Sequence, residues 1–178
     1  MRLVGEVKLL LMVLILTLLI FIGIVSVFYS IKSVSGYGMM PSLRDQDVLL
    51  IKRKSELKRF DIVLINNGIE GEFRRIIGLP GERISYQEDT LYVDGQPLDE
   101  KFIVGKVNES QAKGKNFTGD MSLFSIGQAS EIPQDCYLVL GDNRPYTTDS
   151  RDYGLVRKQA IGGKIKARLW PLEMAETF

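Results

Sequence analysis

The sequence predicts a mainly β domain of antiparallel sheet carried on a single N-terminal transmembrane helix. Three observations predict it. Residues 9–31 form an uncharged run rich in Leu, Ile and Val. Past Lys32 the apolar residues come in short clusters bounded by charge, which is the pattern of strands. No long amphipathic helical pattern stands out in the remainder.

A short N-terminal segment, residues 1–8, precedes the apolar run. As a helix the run reaches ~35 Å at ~1.5 Å per residue, enough for a ~30 Å hydrocarbon core with some tilt. Lys8 and Lys32 bracket it, and Tyr29 sits near one interface. Ser33-Val34-Ser35 would pass for a small-x-small cleavage site, but the run exceeds the ~7–15 apolar residues of a secretory signal. It reads as an uncleaved anchor, which makes membrane lipid the first partner. Arg2 and Lys8 before it are matched by Lys32, Arg44 and the basic residues 52–54 after it, so charge alone does not orient it.

Residues 32–178 form the second unit. Runs 48–51 and 62–65 read as buried strands. Residues 90–93, followed by Asp94-Gly95, read as a strand entering a tight hairpin turn. Run 137–140 enters a turn at Gly141-Asp142-Asn143, and 161–170 reads as a last strand stopped by Pro171. The polar, glycine-containing stretch 105–130 reads as a flexible insert.

Composition excludes several chemistries. At 178 residues the chain suits one modest domain plus an anchor. A net charge of +1 gives no reason to expect a nucleic-acid partner. The chain has no histidine, which removes Ser-His-Asp and Cys-His catalysis and most zinc sites. Neither a metal nor an organic cofactor is expected. The single cysteine, Cys136, has no internal disulfide partner and lies in the apolar run CYLVL, where it reads as a buried strand residue.

Three segments carry the functional signal. They are GYGMMPSL (36–43), FRRIIGLPGE (73–82) and GDNRPYTTDSRDYGLV (141–156). Together they resemble the signatures of the type I signal peptidases, peptidase family S26, which are membrane-anchored serine proteases with a Ser/Lys dyad. The resemblance covers residues ~34–171 and implies that family's antiparallel β domain. It also implies a short cytoplasmic N-terminus, an extracytoplasmic C-terminal domain and a cell-membrane location.

The same resemblance exposes two departures. The family's nucleophile lies in a Ser-Met-x-Pro segment. Here Gly36, Met39, Pro41 and Leu43 fit the stretch, Ser42 takes a place usually held by threonine, and Gly38 stands where the serine belongs. Gly38 keeps a backbone N–H for an oxyanion but has no hydroxyl to form an acyl-enzyme. The family's base segment is Lys-Arg-x-x-Gly-x-Pro-Gly-Asp, and Arg74 stands at the lysine. A desolvated lysine can accept a proton near neutral pH, whereas a guanidinium stays protonated. Arg74 is left as a solvated strand charge, a cleft-filling cation or the partner of a carboxylate such as Asp149. In the third segment, Asp142, Thr147, Asp149, Ser150 and Arg151 match buttressing positions. Thr147 matches a serine that supports the lysine, and Asp149 and Arg151 match a structural ion pair.

The expected activity is therefore that of a signal peptidase-like protein that has lost catalysis. Its implied task is to hold an extended peptide, such as a secreted or pilin protein, during surface assembly in a Gram-positive bacterium. The alternative is an active signal peptidase whose nucleophile has moved to Ser35, Ser42, Thr147, Thr148 or Ser150, with Lys52 or Lys164 as base.

Overall fold

The computed structural model describes residues 2–66, 71–128 and 130–178, with side chains from Val7 onward. Met1 of the expected N-terminal segment and Ala129 of the expected insert lie outside the described residues, as do the side chains of Arg2 and Glu6. Helix α1 spans Arg2–Phe28. Its stretch Val7–Phe28, of mean hydropathy 3.1, is long and apolar enough to cross a membrane.

The helix stops at Phe28, short of the expected end at Ile31. The reason is a competing partner. Tyr29–Ser33 (β1) leaves the helix to pair antiparallel with Val48–Lys52 (β2), Tyr29 opposite Lys52 and Ser33 opposite Val48. The N–H of Arg53 donates to the carbonyl of Phe28 at 2.8 Å and closes the helix end. No linker separates the anchor from the sheet.

The larger sheet adds Ile62–Ile65 (β3), Glu72–Gly78 (β4), Cys136–Leu140 (β9), Val156–Arg157 (β10), Ile161–Trp170 (β11) and Glu176–Thr177 (β12). Its order is β1-β2-β11-β3-β4-β9-β10, with β12 also on β11, and each pairing is antiparallel. A smaller antiparallel sheet has Ile84–Gln87 (β5), Thr90–Val93 (β6), Gln96–Leu98 (β7) and Met121–Ser122 (β8), ordered β7-β6-β5-β8.

The continuous apolar runs of β3 and β9 exist because those strands are covered on both faces, whereas β2, expected to be buried, is buried only at Leu49 and Ile51 and is partly exposed at Val48 and Leu50. Alternate side chains point to opposite faces. Ile62 and Leu64 of β3 join Leu49, Ile51 and Phe73 in one cluster, while Val63 and Ile65 join Ile76, Tyr137 and Val139 in another. The other face of β9, Cys136, Leu138 and Leu140, packs with Ile84, Tyr86 and Leu91 beneath the smaller sheet. Cys136 is buried there as a strand residue.

Turn chemistry fixes the small sheet. Asp94 and Gly95 have φ of 50° and 79°, both positive as a type I′ turn requires. Glu88 and Asp89, with φ of 48° and 64°, make the same kind of turn between β5 and β6 without its usual residues. The stretch expected as a flexible insert holds a helix, Val104–Gln111 (α2), and strand β8. It is tied to the smaller sheet: β8 pairs with β5, and the Asp89 carboxylate accepts from the N–H of Thr118 at 2.6 Å.

In the Gly-Leu-Pro-Gly turn the two glycines answer different demands. Gly81 needs its φ of 85°. Gly78 needs its lack of a side chain, because a Cβ there would lie 2.4 Å from Ile132 Cδ1 and 2.8 Å from Ile84 Cγ1. Replacing Gly78 with Ala is expected to overpack the core and cost about 1–3 kcal/mol. Thermal unfolding of the purified protein reads this as a lowered Tm; an unchanged Tm would refute the packing argument.

Candidate active site

Three segments distant in sequence meet at Gly38. The turn carrying Gly38 follows β1 and is pinned at both ends. The N–H of Gly36 (φ 85°) donates to Asp45 Oδ1 at 2.7 Å, and Met39 is buried in the core. The carbonyl of Gly38 accepts from the N–H of Asn143 at 3.0 Å and from Thr147 Oγ1 at 3.0 Å. A Cβ built on Gly38 would lie 3.3 Å from Thr147 Oγ1 and 3.6 Å from Arg74 Nη1. Gly38, Arg74 and Thr147 therefore share one small volume.

Arg74 stands on β4 with its side chain only 11% exposed. Nε and Nη2 donate to the carbonyl of Thr148 at 3.1 and 2.7 Å, Nη2 also donates to Glu72 at 2.8 Å, and Nη1 donates to the carbonyl of Phe73 at 2.6 Å. Its ion-pair partner is Glu72 and not Asp149. Burial pushes the hydroxyl of the neighbouring Tyr153 above the usual tyrosine range, and the charge of Glu72 adds to the effect.

Asp149 is committed elsewhere. It is fully buried and caps the short helix Ser150–Tyr153 (α3), with Asp152 completing a capping box. Its carboxylate accepts Nε and Nη2 of Arg151, both at 2.8 Å, and the N–H of Gly141 at 3.0 Å. Ser150 Oγ accepts the N–H of Val139. Asp142 takes both Nε and Nη2 of Arg75, at 2.8 and 2.5 Å. That guanidinium also reaches Ser42 Oγ and lies 3.9 Å over the ring of Phe102. Pro41 is exposed beside these residues. The buttressing residues thus hold one another and the loop 141–151.

Arg144, inside the third segment, ties the loop beside Gly38 to the rest of the domain. It is fully buried. It donates to Glu100 at 2.6 and 3.2 Å, to Thr118 Oγ1 at 2.9 Å, to Tyr86 Oη at 3.1 Å and to the carbonyl of Gly141 at 2.9 Å. Burial alone would lower its pKa; the Tyr86 and Glu100 partners outweigh that and raise it above the ordinary value. An arginine inside an otherwise turn-like string was the available signal, but its partners lie on other strands and loops.

A family model described as "Signal peptidase, peptidase S26" matches residues 7–170. The chain belongs to this family. It is 37% identical to Signal peptidase I of Bacillus caldolyticus, over 79% of each chain. It is 38% identical to Signal peptidase I V of Bacillus subtilis strain 168, over 80% of this chain and 92% of the relative. A signal peptidase I crystal structure from Enterococcus faecalis V583 superposes with a TM-score of 0.56 at 36% identity, covering 62% of this chain and 97% of that one.

Against the signal peptidase pattern of a serine beside a lysine, this site holds a glycine beside an arginine. Ser42 and Ser150 serve as acceptors in the scaffold. Lys164 pairs with Asp61 at 2.9 Å, and Lys52 stands on β2 opposite Tyr29 and Lys164. Among the described residues no lysine ammonium hydrogen-bonds a hydroxyl.

Two outcomes test this geometry. A Cβ on Gly141 would lie 2.3 Å from Thr147 Cγ2 and 2.7 Å from the carbonyl of Gly38. Gly141→Ala is expected to cost about 1–3 kcal/mol. Adding Thr147→Ala should recover only part of the lost Tm, because the Gly38 carbonyl remains in the way. Burial also raises the Tyr86 hydroxyl well above its ordinary value of 10.0. The unfolded chain therefore releases that proton first, so stability is retained below pH ~10 and falls as pH rises further. Chemical denaturation across pH 9–11 should show a shallower fall in Tyr86→Phe; equal slopes would exclude Tyr86 as the source.

Proposed function

We propose that this signal peptidase-like protein binds an extended peptide at the membrane without cleaving it, and serves as an accessory in surface-protein or pilus assembly. Its domain 32–178 is extracytoplasmic in this reading, with residues 9–31 as the anchor. The observation that carries the proposal is the pair Gly38 and Arg74. The first offers no hydroxyl to the scissile carbonyl, and the second offers a cation that cannot take up a proton. In another serine protease, subtilisin, loss of the nucleophile alone lowers turnover by ~10⁶. The intact fold around the pair favours retention of the peptide cleft, since the scaffold hydrogen bonds use neither a serine at 38 nor a lysine at 74.

A fluorogenic signal-peptide substrate tests the proposal on the full chain in detergent. The natural protein should be silent, and the Gly38→Ser/Arg74→Lys double variant should cleave. Thr147 lies close to the new side chain, so weak turnover relative to an ordinary signal peptidase is expected. Cleavage by the natural protein would overturn the proposal and favour a relocated nucleophile.

A further inference from the structure

We infer that Gly38 and Arg74 together form a receptor for the free C-terminal carboxylate of an extended peptide. This rests on the peptide-holding reading above and names the ligand class for the same site.

The argument begins with donors. A guanidinium has five N–H groups. Four of those on Arg74 are used: Nε and one of Nη2 on Thr148, the other Nη2 on Glu72, and one of Nη1 on Phe73. The fifth, on Nη1, has no acceptor among the described residues. Nη1 is also the part of Arg74 nearest to Gly38, 3.6 Å from the Cβ position, whereas Glu72 is held from Nη2. The N–H of Gly38 likewise has no protein acceptor among the described residues. Two unclaimed donors, one of them cationic, therefore belong to groups only a few ångströms apart.

Geometry and charge agree. Thr147 Oγ1 and Arg74 Nη1 lie 3.3 and 3.6 Å from where a Cβ of residue 38 would stand, so Nη1 and the half-buried backbone of Gly38 border the same point. A carboxylate suits this pair of donors, because its two oxygens can take both at once. Charge-assisted hydrogen bonds of this kind are about twice as strong as neutral ones. Asp149 does not compete for Arg74, since Arg151 and the N–H of Gly141 occupy it. An internal peptide carbonyl would use the same donors but without the charge. The exchange of Ser/Lys for Gly/Arg thus changes what the site prefers: from a peptide bond to be cut, to a chain end already free.

Fluorescence anisotropy on the full chain in detergent tests this with synthetic peptides. One ends in Ala-Asn-Ala, like the chain end left by signal-peptide cleavage, and one of equal length ends in an unrelated sequence. Each is made as the free acid and as the amide. The acid is expected to bind at least ~10-fold tighter than its amide, with a difference that shrinks as salt rises. Preference for the acid in the first peptide alone identifies a cleaved signal peptide as the source; preference in both identifies chain ends in general. Arg74→Gln should narrow the acid-to-amide ratio. Glu72→Gln should widen it by leaving the guanidinium uncompensated, a direction that simple damage to the fold does not produce. If acid and amide bind equally, the carboxylate inference is overturned while peptide holding stands. If neither binds, both readings fall.

Discussion

The buried fork between Arg144 and Glu100 is the constraint on which the site depends. Both side chains are almost wholly removed from water. Such a pair is costly to desolvate and is tolerated only when every donor finds a partner. Here Glu100, Tyr86, Thr118 and the Gly141 carbonyl satisfy the guanidinium. Those partners come from β5, from the chain before α2 and from the chain before β8. One side chain therefore pins the smaller sheet and the insert to the loop that borders Gly38. From that loop the order continues outward. The Arg144 carbonyl accepts from Arg151, which holds Asp149, which holds the N–H of Gly141.

Residues 38 and 74 touch this scaffold through the Gly38 carbonyl, which accepts from Asn143 and Thr147, and through Arg74, which donates to the Thr148 carbonyl, but not through the groups that define the chemistry of the family. Neither a hydroxyl at 38 nor an amine at 74 is part of it. The Arg75–Asp142 pair, next along β4, faces a different set of groups: Ser42, the Phe60 carbonyl and the ring of Phe102. Successive residues on a strand point to opposite faces, so a change at Arg74 leaves the support at Arg75 untouched. Separation of position 74 from its neighbour by one residue step lets the fold carry an arginine at 74 while the Arg75–Asp142 pair stays in place.

The parts of the fold legible in the sequence were those whose cause is local. Runs such as 62–65 and 137–140 announced buried strands, and Asp94-Gly95 announced its hairpin. What the sequence hid depended on distant partners. Ile31 reads as the last apolar residue of an anchor, and only the presence of β2 converts residues 29–33 into a strand. The turn at Glu88-Asp89 lacks turn-typical glycine or asparagine and is held by the ladder on either side. At the site, the family motifs marked Gly38, Arg74 and Thr147, but the choice of Glu72 over Asp149 as the partner of Arg74 is geometric. Glu72 is two residues back on the same strand face, which a sequence pattern weights no more than any other nearby carboxylate.

The junction at Phe28 adds a mechanical consequence. A helix that passes directly into a paired strand, with its last carbonyl bound by Arg53, leaves little freedom between anchor and sheet. Gly38 follows Phe28 by ten residues, so it lies at most ~36 Å from the helix end, and β1 takes up half of that length. Whatever meets the site at Gly38 therefore meets it within that reach of the end of the apolar helix. In the proposed peptide-holding role, a site tethered in this way would raise the local concentration of its ligand near the anchor.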